Sequence, residues 1–283
     1  MIYVSSSCVR AKRIGEAVKS LAEAGFRSIE LSGGTDYYPE FETDLLELKE
    51  VYNLSYLCHN YFPPPKEPLV VNLASLNDII YEKSLQHLQE NIRLSEKLGA
   101  DRVSFHAGFF VDISSAEIGR GLSMSAISDR DSALTRFCQG YLEVERLSSL
   151  PVYIENNVYS WSNQKIFGSK CPFMLTSYED FIEFKERLDF HFLLDLGHLQ
   201  VSCHSLGLDF TEQLSRLIPF ADYLHLSDND TLEDRHKRIS RQGKLFKALQ
   251  GLDVKNKVIS LEICEGLEGL KESYDLVKNL TDQ

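Results

Sequence analysis

Two hydrophobic patterns alternate along the chain. Short runs rich in β-branched and aromatic residues read as strands: Ile2–Ser6, Ser28–Leu31, Leu54–His59, Arg102–His106, Val152–Asn156, Phe190–Asp195, Tyr223–Leu226 and Val258–Cys264. Between them lie longer stretches with apolar residues at helical spacing. Ala11–Ala24 is one, with Gly25 placed to end it as a C-cap. Tyr81–Leu98 is another: Leu85, Leu88, Ile92, Leu94 and Leu98 share a broad face, and Gly99 closes it. Ser132–Leu147, Ser177–Leu188 and Leu267–Leu280 follow the same pattern.

Strands that alternate with helices pair in parallel through right-handed crossovers. About eight such units in a chain of this length predict an α/β fold of the closed (β/α)8 type, the TIM barrel. The competing open sheet usually carries a glycine-rich turn after its first strand, and Ser5-Ser6-Ser7-Cys8 stands there instead. No linker composition interrupts the pattern, so residues 1–283 are expected to form one domain. Two strand-to-helix connections are long, Asn60–Asn77 with its Pro63-Pro64-Pro65 run, and Asn157–Thr176. In a barrel both lie on the active face.

Charge narrows the partners. The 42 acidic residues against 30 Lys and Arg leave a formal net charge of -12. That disfavours nucleic acid and anionic membrane as partners. No apolar run approaches a membrane span, and the N-terminal segment lacks the apolar core of a signal peptide. The 6 cysteines are scattered without a C-x-x-C pair, so free thiols in a reducing cytoplasm are expected. Cys58 and Cys264 sit in strand-like runs and are expected to be buried.

The polar residues at the strand ends are of one chemical kind. His59 ends the third strand, His106 the fourth and Glu155 the fifth. Asp195, followed by His198, ends the sixth; the seventh carries His225, with Asp234 and His236 in the loop beyond; Glu262 lies on the eighth. All should face one centre at the C-terminal mouth. Buried unpaired charges cost several kcal/mol each, so a shared counterion explains the set better than packing does. Imidazole and carboxylate together suit divalent zinc, manganese or cobalt. His87, His191 and His204 fall outside this pattern and read as structural or surface residues, His204 in a loop.

These residues resemble the xylose-isomerase-like, or endonuclease-IV-like, TIM barrel superfamily over essentially the whole chain. In its sugar isomerase and epimerase branch, one divalent metal is held by residues that match Glu155, Asp195, His225 and Glu262, and the match to His198 contacts substrate. Ile29-Glu30-Leu31-Ser32-Gly33-Gly34 and His225-Leu226-Ser227-Asp228-Asn229-Asp230 look like that branch. In the endonuclease IV branch three zinc ions are held by nine side chains, and His59, His106, Glu155, Asp195, His198, His225, Asp234, His236 and Glu262 match all of them. The resemblance therefore implies one to three metal ions per chain.

Two departures bear on the choice. The loop after the second strand, Ser32 to Glu40, has no Arg or Lys, where a phosphate-tracking groove is basic. The glycine-rich stretch of the endonuclease branch after Glu155 is replaced by Asn156-Asn157-Val158-Tyr159-Ser160-Trp161. The resulting expectation is a metal-dependent isomerase or epimerase of a small sugar, sugar acid or sugar phosphate. Glu155 and Glu262 would act as acid and base with His198 on a substrate oxygen. His59, His106, Asn157, Trp161 and Arg235, with Tyr159 or Lys244 as further candidates, would contact substrate. The alternatives are a trinuclear-zinc phosphodiesterase or phosphatase and a non-catalytic sugar-binding barrel.

Overall fold

The computed structural model describes residues 1–117 and 122–282. Its elements run β1 (Ile2–Ser5), α1 (Ile14–Glu23), β2 (Ser28–Leu31), α2 (Phe41–Tyr52), β3 (Ser55–His59) and α3 (Asp78–Leu98). Then come β4 (Val103–His106), α4 (Arg130–Leu147), β5 (Val152–Glu155), α5 (Trp161–Phe167), α6 (Tyr178–Arg187) and β6 (His191–Asp195). The chain continues through α7 (Leu196–Leu206), α8 (Phe210–Leu217), β7 (Ala221–Leu226), α9 (Lys244–Leu249), β8 (Val258–Leu261) and α10 (Gly266–Thr281). The strands close into a barrel in sequence order, with β8 in parallel register against β1. This is the predicted (β/α)8 architecture.

Side chains alternate across each strand. Val4, Ile29, Tyr56, Phe105, Ile154, Leu194, Leu224 and Ile259 point outward into a core shared with the helices. Tyr3, Leu57, Tyr153, Leu193 and Tyr223 form a separate cluster inside the barrel. One pleat further along the same strands stand His59, Glu155, Asp195 and His225, all buried. Strands buried on both faces thus carry apolar side chains outward and a layered interior whose upper level is polar.

The structure departs from the sequence expectations at several points. The first helix begins at Ile14 rather than Ala11, with Arg13 in extended conformation at its N-cap. The 157–176 connection is not purely loop: Ser160 Oγ accepts from Asn163 N and opens α5. His204 lies in α7, not in a loop, because that helix starts directly after Asp195. β8 ends at Leu261, which leaves Cys264 exposed rather than buried in a strand. All six cysteines are free. A third long connection joins β4 to α4 and is described over residues 107–117 and 122–129. No helix among the described residues is long and apolar enough to cross a membrane.

Candidate metal centre

The D-x-x-H turn shows how local structure builds the centre. Asp195 is the N-cap of α7, and its Oδ1 accepts from His198 N at 2.7 Å. Capping occupies one carboxylate oxygen and leaves Oδ2 facing the barrel axis. The next residues must pass close to β7: a Cβ on Gly197 would meet Ser227 Oγ at 2.7 Å. Asn156 fixes the turn from β5, donating to Asp195 O at 3.0 Å and accepting from Asp195 N at 2.7 Å. His198 Nδ1 donates to Asn156 O at 2.9 Å, which turns Nε2 toward Asp234.

Glu155 lies at the middle of the group. Its Oε2 is 3.0 Å from His59 Nε2 and 3.3 Å from His106 Nδ1. Its Oε1 is 3.4 Å from His225 Nδ1 and 3.5 Å from His198 Nδ1. Glu262 stands beside them, Oε1 3.9 Å from His225 Nδ1 and Oε2 3.8 Å from His236 Nδ1. Asp234 Oδ2 bridges His198 Nε2 at 3.3 Å and His236 Nε2 at 3.0 Å. His236 has φ of 45°, a left-handed conformation uncommon for a non-glycine residue. An antiparallel bridge between Asp228 and Lys237 and a 2.7 Å bond from Cys264 N to His236 O hold it there. Strain held in place by its surroundings is typical of functional positions.

The electrostatics are those of closely packed opposite charges. Burial pushes the Glu155 carboxyl up, but His106, His59 and His225 outweigh it and hold the group well below the ordinary range. Glu30 behaves alike: burial is overcome by His225 and His59, and its value falls to about 2. Burial raises Asp195 to about 6, against His198 and aided by the negative charge of Glu155. Burial depresses the His198 and His225 imidazoles, yet Asp195 and Asp234 around the first, and Glu30 and Glu155 around the second, raise them well above the ordinary value. His236 rises to about 9 for the same reason, with Asp234 the main partner against burial. His106 falls to about 3, because burial and the neighbouring imidazoles outweigh Glu155.

The donor set fits a divalent metal. Glu155 Oε1 and Oε2, Asp195 Oδ2, His106 Nδ1, His225 Nδ1, Asp234 Oδ1 and His236 Nδ1 are buried without a hydrogen-bond partner. Native interiors rarely leave such groups unsatisfied. Glu155, Asp195 and His225 each offer a ligand atom within 4.8 Å of the others, as do His59, His106 and Glu155. Metal ligands of this type are held from behind by a second group. Ser104 Oγ holds His59 Nδ1 at 2.9 Å, and Asn156 holds His198.

Glu30 was not among the expected site residues. It lies on β2, fully buried, 3.1 Å from His225 Nε2, and accepts from the Tyr223 hydroxyl. It therefore occupies the ring nitrogen opposite to the one facing Glu155. The signal was present: a carboxylate in the middle of the strand Ser28-Ile29-Glu30-Leu31 cannot point into the apolar outer core.

A cavity of about 1090 Å³ opens above the centre. His59, His106, His198, Asp234, His236 and Glu262 line it, while Glu155, Asp195 and His225 lie beneath that floor. Asn157 borders the cavity, but its amide donates to Ala107 O, Gly108 O and Met174 O, so it clamps loops. Trp161 and Arg235 do not line it: Trp161 packs against His204 with ring centroids 5.9 Å apart, and Arg235 faces Asp230 at 3.6 Å. Tyr159 is buried with its hydroxyl on Gly168 O, and Lys244 lies over the Phe210 ring. His87 meets no site group; its Nε2 lies 2.9 Å from Asn60 O, a structural role as expected.

No curated protein sequence matches the chain. Among solved structures, a D-tagatose 3-epimerase-like protein superposes with TM-score 0.72 at 18% identity, covering 99% of this chain and 97% of its own. An L-ribulose 3-epimerase gives 0.69 at 14% identity, covering 99% and 94%. Endonuclease IV from Thermus thermophilus gives 0.62 at 18% identity, covering 98% and 99%. At such identities the likeness is one of fold. The profile of the xylose isomerase-like TIM barrels matches residues 18–280, from α1 through α10, and the chain belongs to that family.

Proposed function

We propose that the chain, acting as one barrel domain over residues 1–283, is a cytoplasmic, divalent-metal-dependent isomerase or epimerase of a small sugar or sugar derivative. The observation that carries this reading is the character of the cavity above the histidines. Its described wall holds Asp36, Glu67, Glu117 and Glu233 against Lys66 as the one Lys or Arg. Such a surface suits hydroxyl and carbonyl groups and repels a phosphate backbone. The epimerases among the structural neighbours point the same way.

Glu155, Asp195, His225 and Glu262 would hold zinc, manganese or cobalt, and a metal there supplies positive charge against the charge that develops on substrate oxygens. The protein's own groups do the rest. Glu262, whose carboxylate borders the cavity, takes the proton from the carbon beside a carbonyl. Glu155 is the second carboxylate of the exchange. His198, fixed through Nδ1 by Asn156, presents Nε2 to a substrate oxygen. His59 and His106 border the same floor and orient the sugar.

The compartment of His198, Asp234 and His236 favours a second reading, a multinuclear phosphoesterase. The Asp234→Ala/His236→Ala double variant separates the two. For an isomerase, turnover of a ketohexose panel persists with a loss of no more than roughly 10–100-fold, the scale of an outer-shell change. Hydrolysis of phosphodiesters by the wild type, abolished in the double variant, would overturn the isomerase reading.

A further inference from the structure

The cavity is larger and more apolar than a monosaccharide requires. Its volume, about 1090 Å³, lies just above the ~300–1,000 Å³ typical of sites that enclose drug-sized ligands. A single sugar, smaller than such a ligand, would fill only the histidine end. Another part of the cavity lining is a wall made by the connections after β3, β4 and β5: Val70, Phe109, Ile113, Leu122 and Phe173. These residues belong to a hydrophobic cluster separate from the barrel core. Phe109 and Phe173 form an edge-to-face pair with centroids 5.7 Å apart.

The wall is built rigidly. Phe109 and Phe173 are joined by an antiparallel bridge. Asn72, buried, donates to Phe109 O at 3.1 Å and accepts from Phe109 N at 3.0 Å. Asn157 ties Ala107, Gly108 and Met174 together. A Cβ on Gly108 would meet Ala74 Cβ at 2.6 Å, so the β3 and β4 connections touch with no room to spare. A preformed apolar surface adjoining a polar site lowers the ordering cost of a ligand that matches both. Among the described residues, the acidic groups around the mouth meanwhile disfavour a phosphate or carboxylate on that ligand.

We infer that the substrate is an uncharged sugar derivative carrying a ring-sized apolar substituent, with the sugar on the His/carboxylate floor and the substituent against Phe109, Phe173 and Val70. This rests on the sugar reading above and narrows it. Single-ring burial of this kind raises affinity on the order of tenfold or more.

The test compares dissociation constants of free ketohexoses and their 6-O-benzyl ethers on the metal-loaded protein. This ether leaves the ketone free and adds one neutral ring. The benzyl ether is expected to bind at least about tenfold more tightly than its parent. Phe109→Ser should cut that ratio at least threefold, and Ile113→Ser, at a half-buried position beside the cluster, should cut it in the same direction without a folding risk. The readout is a ratio, which partial loss of fold or metal does not move. Equal binding of ether and parent, or an unchanged ratio in both variants, overturns the inference and leaves the sugar reading standing. Binding of neither compound removes the sugar reading, and the inference with it.

Discussion

At the N-terminal end of the barrel Tyr3, Leu57, Tyr153, Leu193 and Tyr223 fill the interior. The cation that borders them, Arg102, stacks on Tyr153 and Tyr223 and pairs with Asp101 at the rim. Two residues further along the same strands, Leu57 gives way to His59, Tyr153 to Glu155, Leu193 to Asp195 and Tyr223 to His225. The lower layer is stabilised by burial itself, on the order of 1.5–3 kcal/mol for each large side chain. The upper layer is equally buried, yet it contains charges whose desolvation only a countercharge offsets. One layer needs nothing from outside the chain. The other, a single pleat away, presents unpartnered buried donor atoms that fit a cation.

The largest effect that would sharpen this contrast is at Glu155. Glu155→Gln removes the charge common to His59, His106, His198 and His225 while keeping the shape. Turnover is expected to fall by about 10²–10⁴-fold and metal content to drop, with cooperative unfolding retained by circular dichroism. Unchanged metal content would break the comparison. Leu193→Ala, in the lower layer, should act the other way round: a loss of ~2–5 kcal/mol in chemical denaturation with metal stoichiometry unchanged.

Glu30→Gln is expected to be milder. It weakens the support on His225 Nε2 without touching Nδ1, so metal affinity should fall about 10–100-fold in a competitive chelator titration. An effect as large as that of Glu155→Gln would make Glu30 a ligand rather than a support. His59, Glu30 and His225 do lie within ligand distance of one another.

The smallest effect is a pH dependence. His198 and His225 are raised in the folded protein above the ordinary 6.5, so without metal they stabilise it fully below about pH 6.5, and that contribution is lost as pH climbs through their folded values. Glu30 and Glu155 are lowered, so their contribution is present above about pH 4.5 and is lost as pH falls toward their folded values. Chelated protein should therefore melt highest between these limits. Added metal displaces the imidazole protons, so its stabilisation should be greater at about pH 8 than at about pH 6. A metal-induced shift in Tm independent of pH would contradict that exchange.

The barrel and the cluster at its mouth were legible because strands and strand-end side chains carry strong local patterns. His59, His106, Glu155, Asp195, His198, His225, Asp234, His236 and Glu262 all converge on one mouth. Glu30 was hidden because the strands are apolar on their outer face, so one charged residue in a four-residue strand reads as an irregularity. Trp161 and Arg235 fall outside the cavity wall, and Asn157 borders it as a loop clamp, for a different reason. Their loops are shaped by contacts distant in sequence, such as Asn157 with Met174 and Trp161 N with Leu232 O. Likewise α5 follows from a Ser160 cap that a polar stretch conceals. The apolar wall joins three connections that are separate in the chain, so no single segment announces it.

If the upper layer of the barrel holds a metal, elemental mass spectrometry on protein purified without chelator or nickel will find one to three equivalents of zinc, manganese or cobalt per chain, reduced in Glu155→Gln and unchanged in Leu193→Ala. A chain that carries no divalent metal, and takes none up when zinc, manganese or cobalt is added, would contradict that reading.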